Sequence, residues 1–105
     1  MSDIPKDTDK GVICKYISNP LLINQHKFDL RIYVLLTSVE PLRIYVYNEG
    51  LARFASYPYD LTKSQIKNLY SHLTNYSINK KSENFYQNKS LDDRDTGNKW
   101  SISDL

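Results

Sequence analysis

The stretch Arg31-Ile-Tyr-Val-Leu-Leu-Thr-Ser-Val-Glu-Pro-Leu-Arg-Ile-Tyr-Val-Tyr47 decides the fold class of this sequence. Its two halves are rich in β-branched and aromatic residues, the types that favour strands, and residues 38–41 between them favour a turn. In the second half Leu42, Ile44 and Val46 alternate with other residues at the period of a strand with one buried face. The stretch therefore predicts two antiparallel strands.

The residues on either side of this stretch extend the predicted sheet. Asn48-Glu-Gly50 is typical of a tight turn, because glycine readily takes the positive φ that such turns need. Leu51-Ala-Arg-Phe-Ala55 then returns as a third strand. Residues 31–55 are thus expected to form an antiparallel meander. Before it, residues 11–17 predict another strand that ends at the breaker Ser18-Asn-Pro20.

A helix and a polar segment follow the meander. Thr62 and Gln65 have the spacing of a capping box, and apolar residues recur at helical spacing through residues 65–73. Beyond Ser77 the chain has too few large apolar residues to build a core of its own. We therefore expect a polar tail over residues 1–10 and one domain over residues 11–105. The expected fold class is α+β: an antiparallel β-meander, one main helix and a polar C-terminal segment.

The composition is that of one small globular domain. The chain has 105 residues, of which 40% are hydrophobic and 25% charged, and these fractions are ordinary for a globular protein. The net charge of +2 is too small to imply binding to nucleic acid or to an anionic membrane by itself, and we expect neither partner. One cysteine, no signal peptide and no apolar run of membrane-spanning length favour a cytoplasmic protein.

Two charged groups in the predicted sheet are candidate site residues. Lys27-Phe-Asp-Leu-Arg31 leads into a strand, and its alternation places Lys27, Asp29 and Arg31 on one face. From the pattern alone, a solvated face with an internal ion pair is the favoured interpretation. Arg53 either extends to solvent from the sheet edge or shares a face with Arg31 as an anion site. The pattern leaves these two interpretations of Arg53 open.

The third candidate is the polar run His72-Leu-Thr-Asn-Tyr-Ser77, which follows the predicted helix directly. Such a run commonly caps a helix and forms a turn. The sequence has no cysteine or histidine pair at zinc-binding spacing, no nucleophile triad and no glycine-rich phosphate loop. Cys14 lies among apolar residues, where cysteine is usually a packed small hydrophobe.

Taken together, the short motifs of this chain resemble the tubulin tyrosine ligase-like family in order and in spacing. The motifs are Cys14-Lys-Tyr-Ile17, Asn19-Pro-Leu-Leu-Ile23, Lys27-Phe-Asp-Leu-Arg31, Tyr33-Val-Leu35, Pro41-Leu-Arg-Ile-Tyr45, Glu49-Gly-Leu-Ala-Arg-Phe-Ala55 and His72-Leu-Thr-Asn-Tyr-Ser-Ile-Asn-Lys80. The continuation Lys81-Ser-Glu-Asn-Phe85 looks most like the polyglutamylase branch. The resemblance covers roughly residues 11–99 and replaces the simpler interpretations of the three clusters.

The resemblance implies part of an ATP-grasp fold and a ligase activity. Members of this family use ATP and magnesium to join an amino acid to a protein carboxylate, chiefly on tubulin tails. The acceptor carboxylate is first phosphorylated, and the amine of the incoming amino acid then attacks the acyl-phosphate. For the polyglutamylase branch the added residue is glutamate, joined to a glutamate side chain. The family also implies a cytoskeletal location, including the cilium or basal body.

Position by position, the resemblance assigns a role to each matching residue. The ATP site would take the hinge residues Cys14, Lys15, Tyr16 and Ile17, then Lys27, Phe28, Asp29, Thr74 and Asn75. The incoming glutamate would be held by Arg53, Tyr76, Ser77 and Lys99. Arg31 would be catalytic, as a contact to the transferred phosphate or acyl-phosphate. Charge neutralisation of this kind is what phosphoryl transfer needs.

Two departures from the family pattern lead to the expectation that the chain alone is inactive. Cys14 stands where the family usually has glutamine, so an amide near adenine is lost. The family's phosphate-gripping lysines would precede Met1, and its magnesium ligands would follow Leu105. We therefore expect a fragment, a truncated gene product or an inactive copy, with no metal ligands in the chain.

Two other functions remain open at this point. One is a non-catalytic module of the same fold that binds tubulin tails or another acidic peptide. The other is a small β-domain that stacks single-stranded nucleic acid on its nine tyrosines, against which the near-neutral charge argues. The sequence leaves the oligomeric state open.

Overall fold

The computed structural model describes residues 12, 14–87 and 97–105. Its centre is a four-stranded antiparallel sheet with strands in the order β1-β2-β3-β4. A few short helical segments accompany the sheet, which agrees with the α+β class. The strands are β1 (Leu22–Ile23), β2 (His26–Val39), β3 (Leu42–Phe54) and β4 (Lys99–Ser101), and the helices are α1 (Leu69–His72) and α2 (Tyr76–Asn79), followed by a 3₁₀ turn at Ile102–Asp104.

The sheet is dominated by one long hairpin rather than by a three-stranded meander. β2 and β3 pair from Val39 opposite Leu42 down to Phe28 opposite Phe54. The predicted turn near Pro41 is confirmed, because the chain reverses between β2 and β3 at that point. The predicted turn at residues 48–50 is wrong, because β3 runs through it without a break.

Close approach, and not a turn, explains the glycine at position 50. Gly50 lies in β3 opposite Ile32 and has no positive φ. A Cβ atom there would lie 2.3 Å from the carbonyl oxygen of Arg31 and 2.6 Å from Cδ1 of Ile102. Only glycine lets the two strands and the last turn of the chain meet so closely.

The two ends of the hairpin differ in their packing. At its base, the ring of Phe54 packs on Phe28, with centroids 5.6 Å apart, and on Trp100, 4.6 Å apart. Around the fully buried Ala52, this is the small core of the described chain. At the far end, Val34 and Leu35 point to opposite faces and are 60% and 61% exposed. The far end of the hairpin therefore packs against nothing in the described residues.

The predicted main helix is much shorter than expected. Residues 62–67 form turns in which the carbonyl of Thr62 accepts from the amides of Gln65 and Ile66. The hydroxyl of Thr62 donates to Asp60 at 3.0 Å instead of capping a helix. The helix α1 begins only after Asn68, whose side chain accepts from the amide of Tyr70.

The two ends of the chain also differ from expectation. The described residues 14–17 are exposed and form no strand, because no neighbouring strand pairs with them. The polar segment beyond residue 77 contributes β4, which pairs with β3 and so becomes part of the sheet. The predicted tail, residues 1–10, lies outside the described residues, as do Gly11 and Ile13. Among the described residues, no helix is long and apolar enough to cross a membrane.

Candidate functional site

Five charged side chains lie on one face at the base of the hairpin. Arg53 of β3 is the cross-strand partner of both Asp29 in β2 and Lys99 in β4. Side chains alternate between the two faces of a strand, so every second residue of β2 joins them. We call this surface the charged face, and its members are Lys27, Asp29, Arg31, Arg53 and Lys99. Four cations and one carboxylate give it a net charge of +3.

The centre of the charged face is an ion pair between Asp29 and Arg53. Nε of Arg53 donates to Oδ1 of Asp29 at 2.8 Å, and Nη2 donates to Oδ2. These bonds with Asp29 raise the pKa of the Arg53 guanidinium further above its already high value. A guanidinium has five N–H groups, and this pair uses two of them. Three N–H groups of Arg53 are left to meet an anion.

The segment of residues 72–76 crosses the charged face. Nζ of Lys27 donates to the carbonyl oxygen of His72 at 2.9 Å, which holds one end of the segment to β2. At the other end, Nζ of Lys99 lies 3.7 Å from the ring centroid of Tyr76, a close cation–π contact. Thr74 and Tyr76 line a narrow cleft together with Arg53 and Lys99.

A cluster of aromatic side chains holds the predicted hinge residue Tyr16 beside Lys27. The hydroxyl of Tyr16 lies 3.1 Å from Nδ1 of His72, and Nζ of Lys27 lies 5.0 Å from the Tyr16 ring centroid. The ring of Tyr59 meets His72 edge-on, with centroids 5.3 Å apart. Nε2 of His72 is buried and has no hydrogen-bond partner among the described residues.

The environment of Tyr16 disfavours its ionised form. Although the residue is 48% exposed, partial burial of its phenol, together with the hydrogen bond and charge of Tyr59, raises its pKa to about 12. Tyr16 therefore keeps its proton over the physiological range. A protonated Tyr16 can donate to Nδ1 of His72.

The remaining predicted site residues lie apart from the charged face, except for Asn75, which belongs to the segment of residues 72–76. Phe28 points to the opposite face and packs on Phe54 in the core. Ser77 lines a separate cleft between α1 and α2. Cys14 is exposed, and Lys15 and Ile17 line an open surface pocket together with Tyr16. Asn75 precedes α2, and its carbonyl accepts from the amides of Ile78 and Asn79.

The structure adds two hydrogen-bonded asparagines, the buried Asn79 and the partly buried Asn98, that the sequence pattern does not distinguish. Asn79 is buried and bonded to Ser56 and to the backbone of residues 73 and 75. Asn98 donates to the carbonyl of Phe54 and accepts from the amide of Tyr86. Both asparagines occur in polar stretches, so composition marked them as surface residues. Only their placement relative to the end of β3 distinguishes them.

The described residues do not suit a magnesium ion. Within residues 12, 14–87 and 97–105, no group of three or more histidine, cysteine, aspartate or glutamate side chains could hold a metal. Magnesium prefers several oxygen ligands at short distances. The one carboxylate of the charged face, Asp29, is engaged with Arg53. We therefore assign no step to a metal held by these residues.

Several known proteins are similar to this chain over most of its length. The model of the tubulin-tyrosine ligase family matches residues 1–105. Tubulin polyglutamylase ttll-5 of Caenorhabditis elegans is 52% identical over 106 residues, which is 100% of this chain and 14% of that protein. Tubulin polyglutamylase TTLL5 of Mus musculus is 53% identical over 92 residues, 88% of this chain and 7% of that protein. Tubulin polyglutamylase TTLL13 of Homo sapiens is 54% identical over 85 residues, 77% of this chain and 10% of that protein.

Proposed function

The chain belongs to the tubulin-tyrosine ligase family, and from that premise we propose that it forms part of an ATP-dependent ligase that adds glutamate to tubulin tails. The chain spans 14% or less of the length of the relatives compared above. The proposed activity is therefore that of a longer polypeptide, to which these residues contribute binding groups. The proposed location is cytoskeletal, including the cilium or basal body.

One observation carries this proposal: the net charge of +3 on the charged face, with the segment of residues 72–76 lying across it. The proposed reaction brings several anions to one place, namely the phosphates of ATP, the acceptor carboxylate and the carboxylates of glutamate. Clustered lysine and arginine side chains are suited to such groups. The donor set of the charged face therefore fits ATP and glutamate chemically.

The nucleotide would lie at the side of the charged face nearest Tyr16. Lys27 is held there by the carbonyl of His72 and lies over the Tyr16 ring. Each carboxylate oxygen of Asp29 accepts one hydrogen bond from Arg53. A carboxylate can accept about four hydrogen bonds in all. Asp29 is thus able to accept from ribose hydroxyls without releasing Arg53.

The amino acid would lie at the opposite side, beside Tyr76. Arg53 has three N–H groups beyond its pair with Asp29, and Lys99 lies next to it on the same face. Two neighbouring cations are suited to hold the carboxylates of glutamate. ATP supplies the phosphoryl group that activates the acceptor carboxylate. Arg31, two residues beyond Asp29 in β2, would neutralise charge as that group is transferred.

Acidic tubulin tails are the proposed protein partner. A surface of net charge +3 attracts acidic peptides and raises their rate of encounter, an effect that falls with salt. The alternative function, a non-catalytic module for acidic peptides, uses the same surface without nucleotide. The two functions differ in whether ATP binds the charged face.

Titration of the isotope-labelled chain with ATP, followed by nuclear magnetic resonance, tests the proposal. We expect ATP to shift signals of β2, β3 and residues 72–76, with binding weakened by about tenfold in Lys27→Gln or Arg31→Gln. Arg43→Gln is the matched control, because Arg43 lies at the far end of the hairpin. Equal weakening by Arg43→Gln would contradict a site on the charged face. Binding of an acidic peptide without any ATP binding would favour the alternative function.

A further inference from the structure

Asn79 is a buried side chain whose polar atoms are all used. The residue is 1% exposed. Its Oδ1 accepts from the amide and the hydroxyl of Ser56, at 2.9 Å and 2.8 Å. Its Nδ2 donates to the carbonyl oxygens of Leu73 and Asn75, at 2.7 Å and 3.1 Å. A fully satisfied buried amide of this kind fixes the groups around it strongly.

These bonds connect two parts of the molecule that are distant in sequence. Ser56 lies two residues beyond the last residue of β3, the strand that carries Arg53. The two carbonyls bonded by Nδ2 belong to the residues on either side of Thr74. Asn79 therefore holds the backbone around Thr74 at a set place relative to the end of β3.

We propose that Asn79 is a positioning residue for the site on the charged face. Its carboxamide sets the backbone of residues 73–75 and thereby places Thr74 and Tyr76 against Arg53. This inference rests on the proposed function, because Thr74 and Tyr76 are the groups expected to meet nucleotide and amino acid. Asn79 itself lines the narrow cleft beside Thr74 and Tyr76.

The hydrogen-bond pattern at position 79 requires a carboxamide and is not met by aspartate or alanine. An aspartate has the same shape but no donor, so it would place charged oxygens against the carbonyls of Leu73 and Asn75. An alanine would leave the amide of Ser56 and both carbonyls without this partner. Only asparagine, within this volume, can accept the hydrogen bonds from Ser56 and also donate to the carbonyls of Leu73 and Asn75.

Asn79→Asp in the full chain is the test, with Ser71→Ala as the control. Ser71 lies in α1 and is equally buried, and its hydroxyl donates to the carbonyl of Asn68, the residue before the helix. Its loss should lower stability without changing the carbonyls that flank Thr74. We expect Asn79→Asp to weaken ATP binding by about tenfold, and Ser71→Ala to leave it within about twofold.

A double substitution separates positioning from general destabilisation. If Asn79 acts through Thr74, then Thr74→Ala combined with Asn79→Asp should bind ATP no more weakly than Asn79→Asp alone. The proposal would be overturned if Thr74→Ala and Asn79→Asp weakened ATP binding additively. It would also be overturned if Ser71→Ala weakened ATP binding as much as Asn79→Asp does.

Measurements without ligand keep this inference distinct from the proposed function. In the unsubstituted chain, the two Nδ2 protons of Asn79 should exchange slowly with water, because the side chain is buried and both protons are hydrogen-bonded. In Asn79→Asp, amide signals of residues 73–76 should move while those of β2 and β3 stay in place. Fast exchange of the Nδ2 protons, or unmoved signals, would overturn the inference. Failure of the unsubstituted chain to bind ATP would instead overturn the proposed function, and the ligand-free signals would still decide the role of Asn79.

Discussion

Asp29 and Arg53 face each other across β2 and β3 and are joined by two hydrogen bonds that use both carboxylate oxygens. The family resemblance assigns Asp29 to the nucleotide and Arg53 to the amino acid. Because these two residues are in direct contact, the proposed nucleotide and amino-acid subsites are adjacent, and the ion pair of Asp29 and Arg53 belongs to both. It also fixes the guanidinium plane of Arg53, so that its remaining N–H groups point in set directions.

Asp29→Asn should lower the free energy of unfolding by about 1 kcal/mol, because the pair is only partly buried. The loss should shrink as salt is added, since screening weakens the pair in the unsubstituted chain. Urea denaturation at low and high salt measures both effects. The control is Glu83→Gln, an exposed carboxylate in the turns after α2. Equal losses in the two variants would contradict an energetic role for the Asp29–Arg53 pair.

The alternation of charges in β2 allowed part of this site to be predicted from the sequence. Strand residues at a spacing of two share a face whatever their partners are, so the common face of Lys27, Asp29 and Arg31 followed directly. The position of Arg53 depended on the pairing register of β3, which is a long-range property. For that reason the pattern alone left an edge arginine and an anion site equally open.

The errors in the predicted fold have the same origin. Asn48-Glu-Gly50 has the composition of a turn, but Gly50 is needed for close approach to Arg31 and Ile102. Thr62 has the spacing of a helix cap, but Asp60 takes its hydroxyl. In both cases a tertiary or neighbouring contact overrides the local preference. The assigned roles in binding ATP and glutamate stay predictions.

Gly50→Ala should destabilise the chain by about 2 kcal/mol or more, because the new methyl group would overlap the carbonyl oxygen of Arg31. Elsewhere in a strand, alanine in place of glycine usually raises stability. The midpoint of urea denaturation shows whether Gly50→Ala lowers or raises the stability of the chain. Asn48→Ala, two residues earlier in β3 and exposed, is the control and should change stability little. A Gly50→Ala chain as stable as the parent would show that the strands have room to separate.

Tyr16→Phe should remove the most alkaline step from the absorbance titration of tyrosinate. The pKa of Tyr16 is raised to about 12 from an ordinary value of 10.0, so the folded state holds this proton more tightly than the unfolded state does. The resulting contribution to stability is complete below about pH 10 and is lost as the pH rises towards about 12. The difference between the titrations of the parent and the variant should therefore have its midpoint near pH 12.

The same pair of proteins in concentrated urea is the control for this titration. Without the fold, the difference curve should move back to a midpoint near the ordinary value for tyrosine, about 10. A native difference curve centred at that lower value would show that neither burial nor Tyr59 acts on Tyr16.

The last prediction is that the chain of 105 residues has no ligase activity by itself and binds ATP weakly. The charged face supplies cations, but the described residues contain no cluster suited to a metal ion. A metal ion contributes several kcal/mol to phosphoryl transfer, so a reaction without a metal site should be slower by on the order of a thousandfold or more. The contacts at Lys27 and Asp29 should still hold ATP at roughly millimolar strength, about −4 kcal/mol. Incubation with tubulin, ATP, magnesium and labelled glutamate measures activity, and calorimetric titration measures affinity. Label above a no-enzyme control that disappears in Arg53→Ala would prove the prediction wrong, because the chain would then supply every group that the reaction needs.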